Sequence, residues 1–322
     1  MIGPLAGTVG VLPGSPDFAL LYESAIPQKD QLCGAFWGSL ILSAAGHGAS
    51  QEEVALRAGT ALAEGDPARW LPGASPRADY EATIPVAIDK AFAGTSATGV
   101  ARGIEELSGG ALTVVPVAGP WNADAVVTLV EIAAATAPEC ALIANLRTGR
   151  LWGSRPPARL LLDYLLGRQV EAPPPDWDCG HFLTIAACMG GPGGALVVLR
   201  DTYPQLGWDG YDLQPAAALA AALERGDGQE GRVLCACEAT VAEALDGRLG
   251  EAGFWLRHWD NGSPDGGSED LVGLGARRLP PLRPLGPEPG SFGSGLGARV
   301  APRDGRGVGA GRPGAHAIRT HR

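Results

Sequence analysis

An α+β fold is predicted for this chain of 322 residues, on two observations. Helical patterns fill much of the first half while strand patterns lie mostly later, an order that argues against a doubly wound parallel sheet. The two strongest late strand candidates, "HFLTIAAC" and "ALVVLRD", are joined by "MGGPGG", a glycine-rich turn that predicts a hairpin rather than a crossover.

The elements follow in order. Leu32, Phe36, Leu40 and Ala44 stand four apart, which predicts a helix over 32–45 that "AGHG" stops. Ser50 followed three residues later by Glu53 is a capping-box pattern, so a second helix starts there and ends near Gly59. Residues 85–107 are expected to be helical. "ALTVVPV", "NADAVVTLVEIAAAT" and "CALIANL" then predict strand, helix and strand, with "AGPWN" as the intervening turn. After the hairpin come a helix, "QPAAALAAALER", and a strand, "GRVLCAC".

From about Gly262 the composition shifts to Gly, Pro and Arg without a helical or strand period. Such a segment cannot offset its ordering entropy by burial, so the expected organisation is one domain over 1–261 and a disordered tail over 262–322. That tail carries nine Arg against five acidic residues, and a nucleic-acid-binding extension is the least favoured reading of it. The chain's net charge of -10 and pI near 5.0 argue against an electrostatic grip on nucleic acid. With no secretory signal pattern and no run long enough to span a bilayer, a cytoplasmic protein without membrane contact is expected. Six cysteines are too sparse for a disulfide scaffold. "CAC" at 235–237 is too tight for a zinc knuckle, so no metal and no cofactor are expected.

Cys33 falls in the first turn of its helix, where unpaired N–H groups and the positive end of the dipole favour a thiolate. A lone Cys is as readily a small core residue, so the assignment needs a base. Among five histidines, His181 opens a strand. A hairpin centred near Gly191 would bring Asp201 opposite it, the partner needed to fix the tautomer and support an imidazolium. Asp176 and Asp178 compete for that place, with turn capping as their alternative role. Gln28, five residues before the Cys, is the favoured side-chain oxyanion donor beside the Cys33 backbone N–H, with Gln31 the alternative or a helix cap.

These residues carry a resemblance. "QKDQLCGAFWGSLILSAAGHGASQEEVALRAG" and "GHFLTIAACMGGPGGALVVLRDTY" are similar to two blocks of papain-like cysteine peptidases of the bacteriocin-processing, double-glycine-leader type, with "CALIANL" matching the strand before the His block. The resemblance covers roughly 26–60 and 138–215. It implies a papain-like fold, a peptide or protein substrate, and Cys33 as nucleophile, His181 as base, Asp201 as orienting acid and Gln28 as oxyanion residue. The sequence departs from that family in having Leu32 where an Asp usually precedes the Cys, and in the length between Cys33 and His181. Aligning "CGAFW" with the stretch in which the nucleophile directly precedes Trp would instead put Phe36 in the catalytic place. The rival to a peptidase is an inactive module of the same fold that holds a peptide, favoured if Phe36 and Trp37 fill the cleft.

Overall fold

The computed structural model describes residues 9–11, 16–25, 27–65, 77–89 and 93–263. The expected disordered tail, with His316 and His321, therefore lies outside the described residues apart from Gly262 and Ser263. The chain runs β1 (Val9–Val11), α1 (Pro16–Ser24), α2 (Cys33–Ala44), α3 (Gln51–Ala58), β2 (Leu62–Ala63), β3 (Val86–Ala87) and α4 (Ala97–Leu107). There follow β4 (Leu112–Ala118), α5 (Ala123–Thr136), β5 (Ala141–Arg147), α6 (Ala158–Leu165), β6 (Gly180–Gly191), β7 (Gly194–Arg200) and β8 (Tyr211–Pro215). The last described elements are α7 (Ala216–Glu224), β9 (Arg232–Glu238), α8 (Ala239–Glu251) and β10 (Trp255–Leu256).

The fold is α+β, built on an eight-stranded sheet in the order β10-β4-β9-β5-β6-β7-β8, with β1 also pairing β6. Every pairing in it is antiparallel. Alternate residues of one strand enter different cores, as the pleat requires. Phe182 and Ile143 pack with α2, α3 and α4, whereas Leu183 and Leu142 pack with α5, α7 and α8.

The sheet is covered by helices on both faces, by α2, α3 and α4 on one and by α5, α7 and α8 on the other. That double burial is why β5 reads as a near-continuous apolar run instead of an alternation. The helix expected over 85–107 is confined to α4, because Ser96 caps it by accepting from the Gly99 N–H and Val86–Ala87 pairs as a short parallel strand with β2.

Glycine sets how closely α2 approaches the sheet. A Cβ on Gly34 would come within 2.7 Å of Val100 Cγ2 and 3.3 Å of Phe182 Cδ2. Trp37 Nε1 donates to the Phe182 carbonyl at 2.9 Å and fixes the helix there. Phe36 and Trp37 are thus core residues.

The β6–β7 hairpin turns at Pro192-Gly193, with Gly191 opposite Gly194. One extra residue, Ala186, interrupts the ladder: Ala187 faces Val198, yet Ile185 faces Leu199. Leu183, Ile185 and Cys188 all enter the same core, a spacing of two and then three that only the bulge permits. Beyond the bulge Thr184 faces Arg200, so the continued register sets Leu183, not His181, opposite Asp201. The two site residues are diagonal neighbours on one face.

Candidate active site

Cys33 is the first residue of α2, and the N-cap position before it is Leu32, which has no side-chain acceptor. No side chain caps this terminus and its first turn holds no acid, so its leading N–H groups keep their positive potential. The Leu that replaces the expected Asp is fully buried.

The Cys33 thiol lies near enough to His181, at the start of β6, to favour its charged form. His181 is 2% exposed, and its Nε2 lies 3.4 Å from Asp201 Oδ1 and 3.3 Å from Thr202 Oγ1. Burial pulls the imidazole pKa down, but the charge and hydrogen bond of Asp201, together with Cys33, outweigh it and raise it to about 10. The ring is an imidazolium at neutral pH.

Asp201 is held on three sides. Its Oδ1 accepts from the Tyr203 N–H at 2.9 Å, its carbonyl accepts from the Tyr22 hydroxyl at 2.7 Å, and its own N–H donates to the Gly210 carbonyl. Its rivals are occupied elsewhere: Asp176 accepts from the Ser154 N–H at 2.7 Å, and Asp178 pairs with Arg147 at 2.5 Å.

Gln28 is buried beside this group. Its Oε1 accepts from Thr202 Oγ1 at 2.5 Å, and its Nε2 donates to the Tyr203 hydroxyl at 2.9 Å, which occupies one of its two amide hydrogens. The lead-in loop is anchored on the next helix, where Lys29 pairs with Glu52 and the Lys29 N–H donates to Gln51 Oε1. Gln31 caps nothing. It adopts φ 59°, in the left-handed region, and its Oε1 accepts from the Ala63 N–H.

The structure therefore brings together all four residues singled out from sequence, and excludes Phe36 from the position beside His181. It adds residues for which the sequence carried no motif. Tyr203 stacks on the His181 ring at 6.0 Å and Trp177 meets it edge-on at 4.8 Å. Thr202 joins His181 to Gln28 through one hydroxyl. The aromatic-rich segment after Asp201 divides accordingly: Tyr203 is buried, whereas Trp208 is 44% exposed. Asp212, on β8, is 4% exposed with Oδ1 unpaired, and burial followed by the charges of Asp201 and Asp176 pushes its carboxyl up to about 8.

A cleft of about 500 Å³ opens at Cys33, walled by Gly180, Phe182, Asn145, Arg147, Arg225 and Asp227 among others. Neither Phe36 nor Trp37 lines it. Arg225 and Asp227 are paired at 2.8 Å, and Arg147 reaches the same carboxylate at 3.1 Å. Two guanidinium groups of the wall thus share one carboxylate.

Among the described residues no helix is long and apolar enough to cross a membrane. Comparison with curated proteins and with solved structures finds no match. A family model does match residues 12–260, a span that contains every site residue named above, and the chain belongs to that family, described as a family of unknown function (DUF6885).

Proposed function

We propose that this protein is a papain-like cysteine peptidase or a related thiol acyl-transfer enzyme acting on a peptide or isopeptide bond. One observation carries the reading: a half-buried thiol at an uncapped helix N-terminus lies beside a buried imidazole whose charged form a buried carboxylate, 3.4 Å away, favours.

In this mechanism the Cys33 sulfur attacks the carbonyl carbon of a chain lying in the cleft. The oxyanion that forms faces the N–H groups at the start of α2, with the second Nε2 hydrogen of Gln28 as the side-chain donor. His181 gives its proton to the departing amine, and Asp201 keeps the ring oriented throughout. Water, deprotonated by the now neutral His181, then attacks the thioester and releases the acid. An amine in place of that water would make the reaction a transfer. The 3.4 Å between His181 and Asp201 is long for a charge-assisted bond, as is common before substrate closes the site.

The test is alkylation of the native full-length protein by iodoacetamide across pH, read by mass spectrometry at each thiol. An ordinary thiol, near pKa 8.5, is less than ~1% thiolate at pH 6, so ion pairing with His181 predicts labelling of Cys33 there about 10²-fold faster than in His181→Ala. Equal rates in the two proteins would remove the peptidase reading and leave an inactive peptide-binding module.

A further inference from the structure

After β10 the chain continues into the wall of the candidate active site. Asn261, Gly262 and Ser263 line the same cleft as Cys33. Three other residues of that wall hold the segment in place. Asn145 Oδ1 accepts from Trp259 Nε1 at 3.4 Å, the Thr95 carbonyl accepts from Asn261 Nδ2 at 3.1 Å, and Arg225 Nη1 donates to the Asn261 carbonyl at 3.4 Å. Trp259 and Asn261 are buried. Gly94, also in the wall, meets Ser263 so closely that a Cβ there would come within 2.3 Å of Ser263 Oγ. The sequence runs on from Pro264, so the point from which it departs is fixed beside the nucleophile's cleft.

We propose that a substrate of this cleft is the chain's own segment after Ser263, cut intramolecularly by Cys33 within residues 264–270. The inference names a substrate for the proposed peptidase site and rests on that reading. Reach favours it: five extended residues span roughly 16–18 Å, whereas a compact cleft of about 500 Å³ is roughly 8 Å across. Charge favours it as well. Residues 264–276 carry Asp265, Glu269 and Asp270 with no Lys or Arg before Arg277, and the wall offers Arg147, whose side chain is 30% exposed. Tethering supplies the rest, because a short linker holds its end at about millimolar effective concentration and the segment then needs little intrinsic affinity.

The chemistry balances in two steps. The Cys33 sulfur bonds to the carbonyl carbon of one residue in the segment, the C–N bond to the next residue breaks, and His181 gives its proton to the departing amine. The domain is then joined to itself as a thioester, and the distal part of the chain leaves with a new amino terminus. Water next breaks the thioester, which leaves a carboxylate on the domain and restores the thiol.

The experiment follows the intact mass of the full-length protein over time in dithiothreitol at neutral pH, at two protein concentrations tenfold apart, with Cys33→Ala as the uncut standard. The expected result is loss of one C-terminal fragment whose new amino terminus lies between Asp265 and Leu271, with a half-time unchanged by the dilution. Cleavage in Cys33→Ala and His181→Ala should be at least ~10²-fold slower. A wild-type mass that stays whole, a half-time that shortens with concentration, a cut elsewhere, or equal cleavage in Cys33→Ala would overturn the proposal. Rapid His181-dependent alkylation of Cys33 in a chain that stays whole overturns the intramolecular cut alone. A Cys33 inert to iodoacetamide in a chain that stays whole overturns both readings.

Discussion

Two successive helices of this molecule begin in opposite ways. At the start of α3, Ser50 accepts from the Glu53 N–H, Glu53 returns a bond to the Ser50 N–H, and two acids, Glu52 and Glu53, occupy the first turn. At the start of α2 there is Leu32, no side-chain cap and no acid. The first arrangement consumes the positive end of the helix for stability; the second leaves it for whatever negative charge appears at Cys33. The two are linked, because Gln51 and Glu52 of the satisfied helix hold the backbone and side chain of Lys29 in the loop that leads to the unsatisfied one. A stable terminus thus supports a reactive one.

The largest effect that would sharpen this contrast is expected at the carboxylate. Asp201→Asn removes the charge that holds His181 up near 10, and should lower Cys33 alkylation at pH 6 by about 10²-fold while the imidazole titrates nearer its ordinary value, followed by NMR. An unchanged titration would mean that the electrostatics at α2 do not depend on Asp201. Next comes Gly34→Ala, which must push α2 away from Val100 and Phe182. A loss of about 1–3 kcal/mol in denaturant unfolding is expected, with slower Cys33 labelling as the helix separates from His181.

The two termini should also fail at opposite ends of the pH scale. His181 has a folded pKa raised from 6.5 to about 10, so its contribution is complete below pH 6.5 and is lost as pH rises through about 10. Glu52 is desolvated, but bonds from Lys29 and the Glu81 N–H outweigh that and lower its pKa below the usual 4.5. Its contribution is present above that value and disappears in acid. Thermal melts of His181→Ala and Glu52→Gln against wild type should therefore converge with it at high and low pH respectively. Melts that run parallel at all pH would contradict the assignment. The smallest effect belongs to the cap itself: Ser50→Ala should cost about 1 kcal/mol and leave the Cys33 labelling rate at pH 6 unchanged.

How much of this was legible in the sequence depended on the range of the interaction concerned. The Ser50 capping box, the helix beginning at Cys33 and the hairpin after His181 are written in neighbouring residues, and each lies where the local pattern puts it. The cover of α5, α7 and α8 over the second face of the sheet was not legible, since a doubly buried strand and a half-buried one differ in where the chain returns. The pairing of His181 with Asp201 was reached through an imperfect register. The turn lies at Pro192-Gly193 rather than Gly191, and the residues meet diagonally instead of directly opposite. Thr202 and Tyr203 belong to a Tyr- and Trp-rich stretch, 201–215, that reads equally as a substrate lip or as loop packing, and they carry no spacing that marks them as partners of a distant Gln28.

That diagonal meeting depends on counting. Were Ala186 paired in the ladder instead of bulged out of it, the register from Gly191–Gly194 would run on unshifted and set Asp201 opposite Thr184, with its carboxyl on the side of Phe182 and the N-terminal helices. The imidazole and its acid would then be separated by the thickness of the sheet, although neither residue had changed. The site is in this sense a matter of parity: the bulge absorbs one residue, while a register slipped by one exchanges inside for outside. A chain can therefore keep Cys33, His181 and Asp201 letter for letter and still lose the constellation if the bulge at Ala186 is drawn into the ladder.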